Sequence, residues 1–386
     1  MSSLSDANMK FTLDLFQQLR KSEDNVFYSP FSISVALAMV SLGARGSTAE
    51  EIEKVLHLNE ITMKSTKKTK TDQVAEPGSV HHQFHKLLTE LNKPKHVYEL
   101  ASANKAYKDK SFQFLQEYVD NIKKFYLADV ESVDFQTDAE GSRKKINTWV
   151  EKETHEKIKD LFPSESLKSD TKLVLVNAIY FKGQWDLKFK EEDTVEGKFW
   201  LSKDTSKSVK MMKQTNHLKF ASLEAVQAKI LEIPYKGKAL SMVVLLPDEV
   251  DGLQKLEDKL TSEELVEWTS QMNTTEVHLH LPRFKVEESY NLKTILKDMG
   301  MVKAFSSKDA DFSGMTSGRG LAISKVKHKS FVEVNEEGTE AAAATSVSVS
   351  LSSPGRSNEF CCDHPFLFFI KENENNILFF GRVSSP

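Results

Sequence analysis

Residues Val332 to Phe360, VEVNEEGTEAAAATSVSVSLSSPGRSNEF, decide how this chain is to be read. A strand-like alternation runs into a charged knot, then four consecutive alanines, Ala341 to Ala344, then alternating Ser and Val, then a Ser/Pro/Gly/Arg/Asn loop. The stretch is too polar for a core and too rich in Ala and Val for an ordinary linker. Alanine has the best helix propensity, so TEAAAAT suits a helical turn. TSVSVS prefers an extended chain with Ser on one face and Val on the other. Small side chains throughout also let the segment slot between existing strands without clashes. From Gly338 to Ser352 is 15 residues, about 50 Å if extended at about 3.3 Å each. That is enough for a full additional strand of a large sheet, and a disordered linker would have no need of so regular an alternation.

The composition of the 386-residue chain, 39% hydrophobic and 28% charged, is that of a globular protein with a sizeable core. A formal charge of −4 argues against a nucleic-acid binder, which shows a basic excess or stripe. The two cysteines are adjacent, Cys361 and Cys362. Neighbours on an extended chain point to opposite faces, so a bridge between them would be strained and no disulfide framework is expected. That fits a reducing compartment. The start, MSSLSDANMKF, lacks a basic region followed by an apolar one, so no cleavable signal is expected, and no apolar run of about 18 residues suggests a membrane span. The expected compartment is the cytoplasm.

Apolar residues near helical spacing predict an amphipathic helix over about 6 to 21. Pro30 suits the first turn of a second helix ending near Gly43, whose nearly all-apolar centre implies burial on every side. Capping-box patterns at Ser47 to Glu50 and Thr137 to Glu140 predict two further helix starts. Residues 61–80, polar, Lys/Thr-rich and containing Pro77-Gly78, read as a flexible surface insertion. The remainder turns to strands: TKLVLVNAIYF, as one buried on both faces, then AKILEIPY, LSMVVLLP, TEVHLHLPRF and SFVEVNEE. HPFLFFI and ILFFGRV form a final hairpin around KENENN. Helices first and strands later, without a repeat, predict one α+β domain over residues 1–386 rather than alternating βαβ units.

Motifs for chemistry are sparse. His81 and His85 form an i,i+4 pair on a helix, and His278 and His280 share a strand face, but neither set has carboxylate or thiolate partners. The CCDH run at 361–364 lacks the paired spacing of a zinc module, so no metal is expected. There is no Gly-x-Ser-x-Gly elbow, phosphate loop or dinucleotide fingerprint, and Cys362 beside His364 reads as a buried, inert thiol. No catalytic residue and no cofactor is expected. The basic run KSTKKTK at 64–70 reads as a solvated loop, with polyanion binding as its alternative.

Six stretches together resemble the serpin family, in its ovalbumin-type (clade B) intracellular branch and its squamous cell carcinoma antigen-like subgroup. They are NVFYSPFSISVALAMVSLGARGST (25–48), LVLVNAIYFKGQW (173–185), LPRFKVE (281–287), VKHKSFVEVNEEGTEAAAAT (326–345), HPFLFFI (364–370) and ILFFGRVSSP (377–386). The resemblance implies three β-sheets, eight or nine helices and an exposed reactive-centre loop, here residues 336–358. It also implies a suicide-substrate inhibitor: a target protease attacks the loop, and the loop's upstream half inserts into the main sheet.

On this resemblance Glu336, Glu337, Gly338, Thr339, Glu340 and Ala341, Ala342, Ala343, Ala344 match the hinge of inhibitory members. Non-inhibitory members typically carry a charge or a bulky group where Thr339 stands. The usual loop length places the reactive bond at Ser352-Ser353, with Leu351 filling the specificity subsite. That geometry suits papain-like cysteine proteases of the cathepsin L, S or K type, whereas cleavage at Leu351-Ser352 would suit a chymotrypsin-like serine protease. Arg356 lies too far downstream for the usual loop. Ser29, Ser32, Asn177 and His328 match the shutter, a hydrogen-bond cluster beneath the point where the sheet parts, and Trp185 matches the breach, where insertion begins. The implied partners are target proteases alone, without nucleic acid or membrane, for a cytoplasmic monomer that could also leave the cell by non-classical release.

Overall fold

The structure is a computed structural model that describes residues 3–62, 79–93, 97–337 and 358–386. Among them fourteen strands occur in chain order. They are β1 (Val26–Tyr28), β2 (Tyr98–Asp109), β3 (Asp129–Val133), β4 (Leu173–Gly183), β5 (Val195–Trp200), β6 (Ser206–Leu223) and β7 (Ala228–Pro234). Then follow β8 (Leu240–Pro247), β9 (Asn273–Pro282), β10 (Phe284–Asn291), β11 (Lys325–Val334), β12 (Asn358–Cys361), β13 (Phe366–Glu372) and β14 (Ile377–Val383). Ten α-helices accompany them among the described residues, three of six residues or fewer. The α+β class implied by the sequence is the one observed.

The strands form a five-stranded sheet in the order β10-β11-β4-β2-β3 and a nine-stranded sheet in the order β1-β14-β13-β8-β7-β6-β9-β12, with β5 on β6. The implied third sheet is here continuous with the second. The 18-residue β6 pairs with β5 at one end, with β7 at the other and with β9 between. In the five-stranded sheet β11 lies parallel to β4, while β10 and β2 run antiparallel to their neighbours β11 and β4.

The apolar run of β4 predicts burial on both faces, and the packing explains it. Leu173, Leu175, Ile179 and Phe181 join the main core, whereas Val174, Val176 and Ala178 join a second core with Tyr107, Ile146, Val150 and Phe162. The helix Pro30–Ser41 lies against the first face, with Pro30 in its first turn and every residue from Pro30 to Val40 buried. The helix Ala139–Glu153 and the segment after it cover the second. The Phe-rich hairpin β13–β14 closes the main core, where Phe27 stacks on both Phe368 and Phe379.

Two predicted caps are displaced by one or two residues. The helix Gly46–Val55 starts after Arg45, and the Ser47 hydroxyl instead accepts from Lys303 Nζ at 2.6 Å. The helix Ala139–Glu153 is capped by Asp138, whose carboxylate accepts from the Gly141 N–H at 3.0 Å. Thr137 is drawn off by Asp134. Of the predicted 61–80 insertion, residues 63–78 lie outside the described residues.

Candidate functional site

The seam between β4 and β11 carries the cluster expected at the shutter. Ser29 caps the helix Pro30–Ser41: its Oγ accepts from the Ser32 N–H at 3.3 Å and donates to the Leu378 carbonyl of β14 at 2.6 Å. Its backbone N–H donates to His328 Nε2 at 3.0 Å. Because Nε2 accepts a backbone proton, the ring proton sits on Nδ1, which faces Asn177 Oδ1 at 2.6 Å. That in turn orients the amide, so Asn177 Nδ2 donates to Ser32 Oγ at 2.6 Å and to the Ser32 carbonyl at 3.2 Å. Ser29, Ser32, Asn177 and His328 are all buried, so each polar group there needs its partner. Burial pushes His328 down to about 3, and the imidazole is neutral. Ser330, on the same face of β11, donates to the Phe27 carbonyl at 2.9 Å.

At the end of β11 the chain is held by a second group. Trp185 is buried, stacks on Tyr235 with ring centroids 4.6 Å apart, and donates its indole N–H to the Asn335 carbonyl at 2.8 Å. The next residue, Glu336, is 2% exposed. Its carboxylate takes a guanidinium hydrogen bond from Arg283 at 2.5 Å and the Thr194 hydroxyl at 2.8 Å, while its carbonyl accepts from the Phe189 N–H at 3.0 Å. Burial alone would raise the Glu336 carboxyl; the Arg283 and Thr194 hydrogen bonds outweigh it and hold the carboxyl below its usual range. Glu337 is fixed more lightly, its N–H donating to Asn335 Oδ1 at 3.2 Å.

The structure therefore brings Ser29, Ser32, Asn177 and His328 into one cluster, and Trp185 to the start of the hinge. Of the hinge only Glu336 and Glu337 are described. Gly338, Thr339, Glu340, Ala341 to Ala344, Leu351, Ser352 and Ser353 lie outside the described residues. Sequence reasoning missed Arg283 and Thr194. They lie 53 and 142 residues from Glu336, and although Arg283 sits in LPRFKVE nothing local marks its partner.

Two of the histidines read for metal, His81 and His278, are engaged elsewhere. His81 Nδ1 meets the Tyr126 hydroxyl at 2.5 Å, with burial pushing the ring down to about 4, and His278 Nδ1 meets the Thr215 hydroxyl at 2.6 Å. Burial raises both thiols, Cys361 to about 11, which removes their nucleophilic character at neutral pH.

The sequence profile described as serpin (serine protease inhibitor) matches residues 6–386. This chain belongs to the serpin family, a family of protease inhibitors rather than enzymes. Its relatives place it in the clade B, ovalbumin-type branch and the squamous cell carcinoma antigen subgroup. Human (Homo sapiens) Serpin B4 and Serpin B3 are 63% and 62% identical to it, each alignment covering 100% of both chains. Among solved structures, uncleaved ovalbumin matches with a TM-score of 0.90 at 39% identity, covering 100% of both chains. A loop-inserted, cleaved ovalbumin mutant matches with a TM-score of 0.89 at 38% identity, again covering 100% of both. No helix among the described residues is long and apolar enough to cross a membrane.

Proposed function

We propose that this chain, as one serpin domain over residues 1–386, inhibits a protease as a suicide substrate, and that residues 338–352 become a new strand between β11 and β4. The observation that carries this reading is the topology of the seam. β11 and β4 are parallel neighbours, and the hinge leaves directly from the end of β11 at Glu336. A chain folding back from that point runs antiparallel to both. One parallel pairing is exchanged for two antiparallel ones, and a parallel pairing is slightly the less stable per residue. The added strand therefore gains ladder hydrogen bonds on both edges, which is the downhill step that drives loop insertion. That ovalbumin is known uncleaved, and a cleaved ovalbumin mutant loop-inserted, supports the same path here.

In this reading the protease nucleophile attacks the Ser352 carbonyl, the Ser352-Ser353 bond breaks, and Ser353 leaves as a free amine. Ser352 stays on the enzyme as an ester or thioester while the chain from Gly338 to Ser352 enters the sheet. Leu351 occupies the apolar subsite that papain-like cysteine proteases of the cathepsin L, S or K type read. Cleavage one residue earlier would instead put Leu351 in the primary pocket of a chymotrypsin-like serine protease. The protein works as a cytoplasmic monomer without a cofactor. Incubation with cathepsins and chymotrypsin-like proteases tests this, with denaturing gels for a covalent complex and mass spectrometry of the released C-terminal peptide. A peptide beginning at Ser353 together with a stable complex supports the reading. Turnover of the chain with no complex from any of these proteases rejects it.

A further inference from the structure

β12 is held lightly by its own sheet. It has four residues and, among the described strands, pairs only with β9, in parallel, at the sheet's end. A short edge strand makes few ladder hydrogen bonds, and a parallel pairing is slightly the less stable per residue. The turn after it is fastened at several points. The Cys362 N–H donates to the His280 carbonyl at 2.9 Å, and the Asp363 carbonyl accepts from the Trp200 N–H of β5 at 2.7 Å. Pro365 favours an extended backbone at the residue before it, His364, which is buried between β12 and β13. His364 Nε2 lies 2.6 Å from the Pro247 carbonyl at the end of β8, and Nδ1 lies 2.8 Å from Asp363 Oδ1.

Neither of those two partners can donate. A carbonyl oxygen and an ionised carboxylate only accept, so each ring nitrogen must carry a hydrogen, and a ring with both is an imidazolium. A neutral ring would turn a bare lone pair on one partner or the other. Asp363 faces the ring from its own segment and Asp248 from just beyond β8, and both are acids. Beside Asp363 stand Cys361 and, 3.8 Å from its sulfur, His280 Nδ1 of β9. Burial lowers His280 and raises both thiols, which leaves all three uncharged at neutral pH. Burial alone would lower His364 as well; the hydrogen bonds to Asp363 and to the Pro247 carbonyl outweigh it and raise the ring above its ordinary value.

We propose that His364 is a proton-operated clamp: as an imidazolium it ties the turn after β12 to the end of β8, and it lets go when the proton leaves. The clamp fixes the point where the chain beyond residue 357 rejoins the sheet, so it acts as a positioning residue for that end of the segment. A released turn takes up the proton at the ordinary value of 6.5, and the clamped turn holds it to a higher pH. The restraint is therefore complete below pH 6.5 and is lost as pH rises through the clamped value. β12 is held in acid and loosened in alkali. That residues 338–357 serve as bait rests on the function proposed above; the clamp does not.

The chain's two cysteines both lie at this turn and report its opening. With Cys361→Ser as the background, the fully buried Cys362 reacts with dithiodipyridine only when the turn opens. Labelling is followed from pH 6 to pH 9 with His364 intact and with His364→Gln added. The ratio of the two rates at each pH cancels the titration of the thiol itself. At pH 6 the Gln variant should label about tenfold or more faster, the loss of one charge-assisted hydrogen bond, and the ratio should fall towards one by pH 9. A merely structural role would give a ratio that does not move with pH, and that result overturns the clamp. The unsubstituted chain gives a second reading that needs no variant to fold, the NMR titration of the His364 ring. A midpoint above 6.5 supports the clamp, and one at or below 6.5 overturns it.

Discussion

Asn177 and His328 are register partners across the parallel pair β4–β11, and their side chains are joined at 2.6 Å. A polar tie thus bridges the two strands that insertion would separate. Asn177→Ala leaves the His328 Nδ1–H without its acceptor and takes the amide from Ser32. Loss of these three bonds in a buried network costs about 2–4 kcal/mol. The expected outcome is a lower Tm at fixed scan rate and faster spontaneous conversion to an inserted or polymeric form. A Tm within 1 °C of the parent, on the scale of about 4 °C or less per kcal/mol for a chain this long, would show that the tie carries no strain.

His328 gives the fold a pH dependence whose sign follows from burial. Its folded pKa, about 3, lies below the ordinary value of 6.5, so the unfolded chain binds the proton first. The stability it contributes is complete above pH 6.5 and is lost as pH falls towards 3. The loss is about 1.4 kcal/mol per pH unit within that window. His328→Gln has no proton to take up there, so the gap in stability between parent and variant should narrow from pH 7 to pH 5. Denaturant unfolding at both values measures it, and a gap independent of pH would contradict a neutral His328.

Arg283 and Glu336 form a latch at the root of the proposed hinge. Arg283→Ala leaves a buried carboxylate held only by Thr194. The expected cost is about 1–2 kcal/mol, kept small because water reaches the arginine side of the pair. The Glu336 carboxyl is depressed, so the latch contributes stability above the usual carboxylate range and loses it as pH falls through the folded value. Limited proteolysis of the 338–357 segment should accelerate in Arg283→Ala with cleavage sites unchanged. An unchanged rate would mean that Glu336 does not restrain the hinge.

Much of this was legible before any coordinates. Helix Pro30–Ser41, strand β4 and the hairpin β13–β14 follow from apolar runs and from Pro30, because burial on both faces leaves no alternation to misread. The shutter residues came from family resemblance; their bonds join residues more than 100 positions apart, which no periodicity encodes. The Arg283–Glu336 latch was invisible for the same reason. The displaced caps fail differently. Ser47 and Thr137 have the right chemistry, but Lys303 and Asp134 claim their hydroxyls first. Lys325, Lys327 and Lys329 stand at alternate positions of β11 in the sequence, yet only packing shows that the Lys327 side chain is largely covered.

The hinge supplies the sharpest test of insertion. On the proposed path the chain beyond Glu337 would become a central strand once β11 and β4 part, and alternate side chains of a strand face the same side. On the side of Asn177 and His328 there is a closed core, with the helix Pro30–Ser41 buried beneath. Small residues such as Thr339 and the alanines at 341–344 enter such a space, whereas a guanidinium brings a charge whose desolvation nothing there repays. Thr339→Arg should therefore leave cleavage at Ser352-Ser353 intact while slowing insertion, so that the acyl-enzyme hydrolyses before the protease is trapped. On denaturing gels the covalent complex should give way to cleaved inhibitor, with the stoichiometry of inhibition rising about tenfold or more if insertion loses about 1.4 kcal/mol or more in the competition. The rise in Tm on cleavage should shrink in parallel. A variant that still traps its protease at the parent's stoichiometry would show that inhibition here proceeds without burying residue 339.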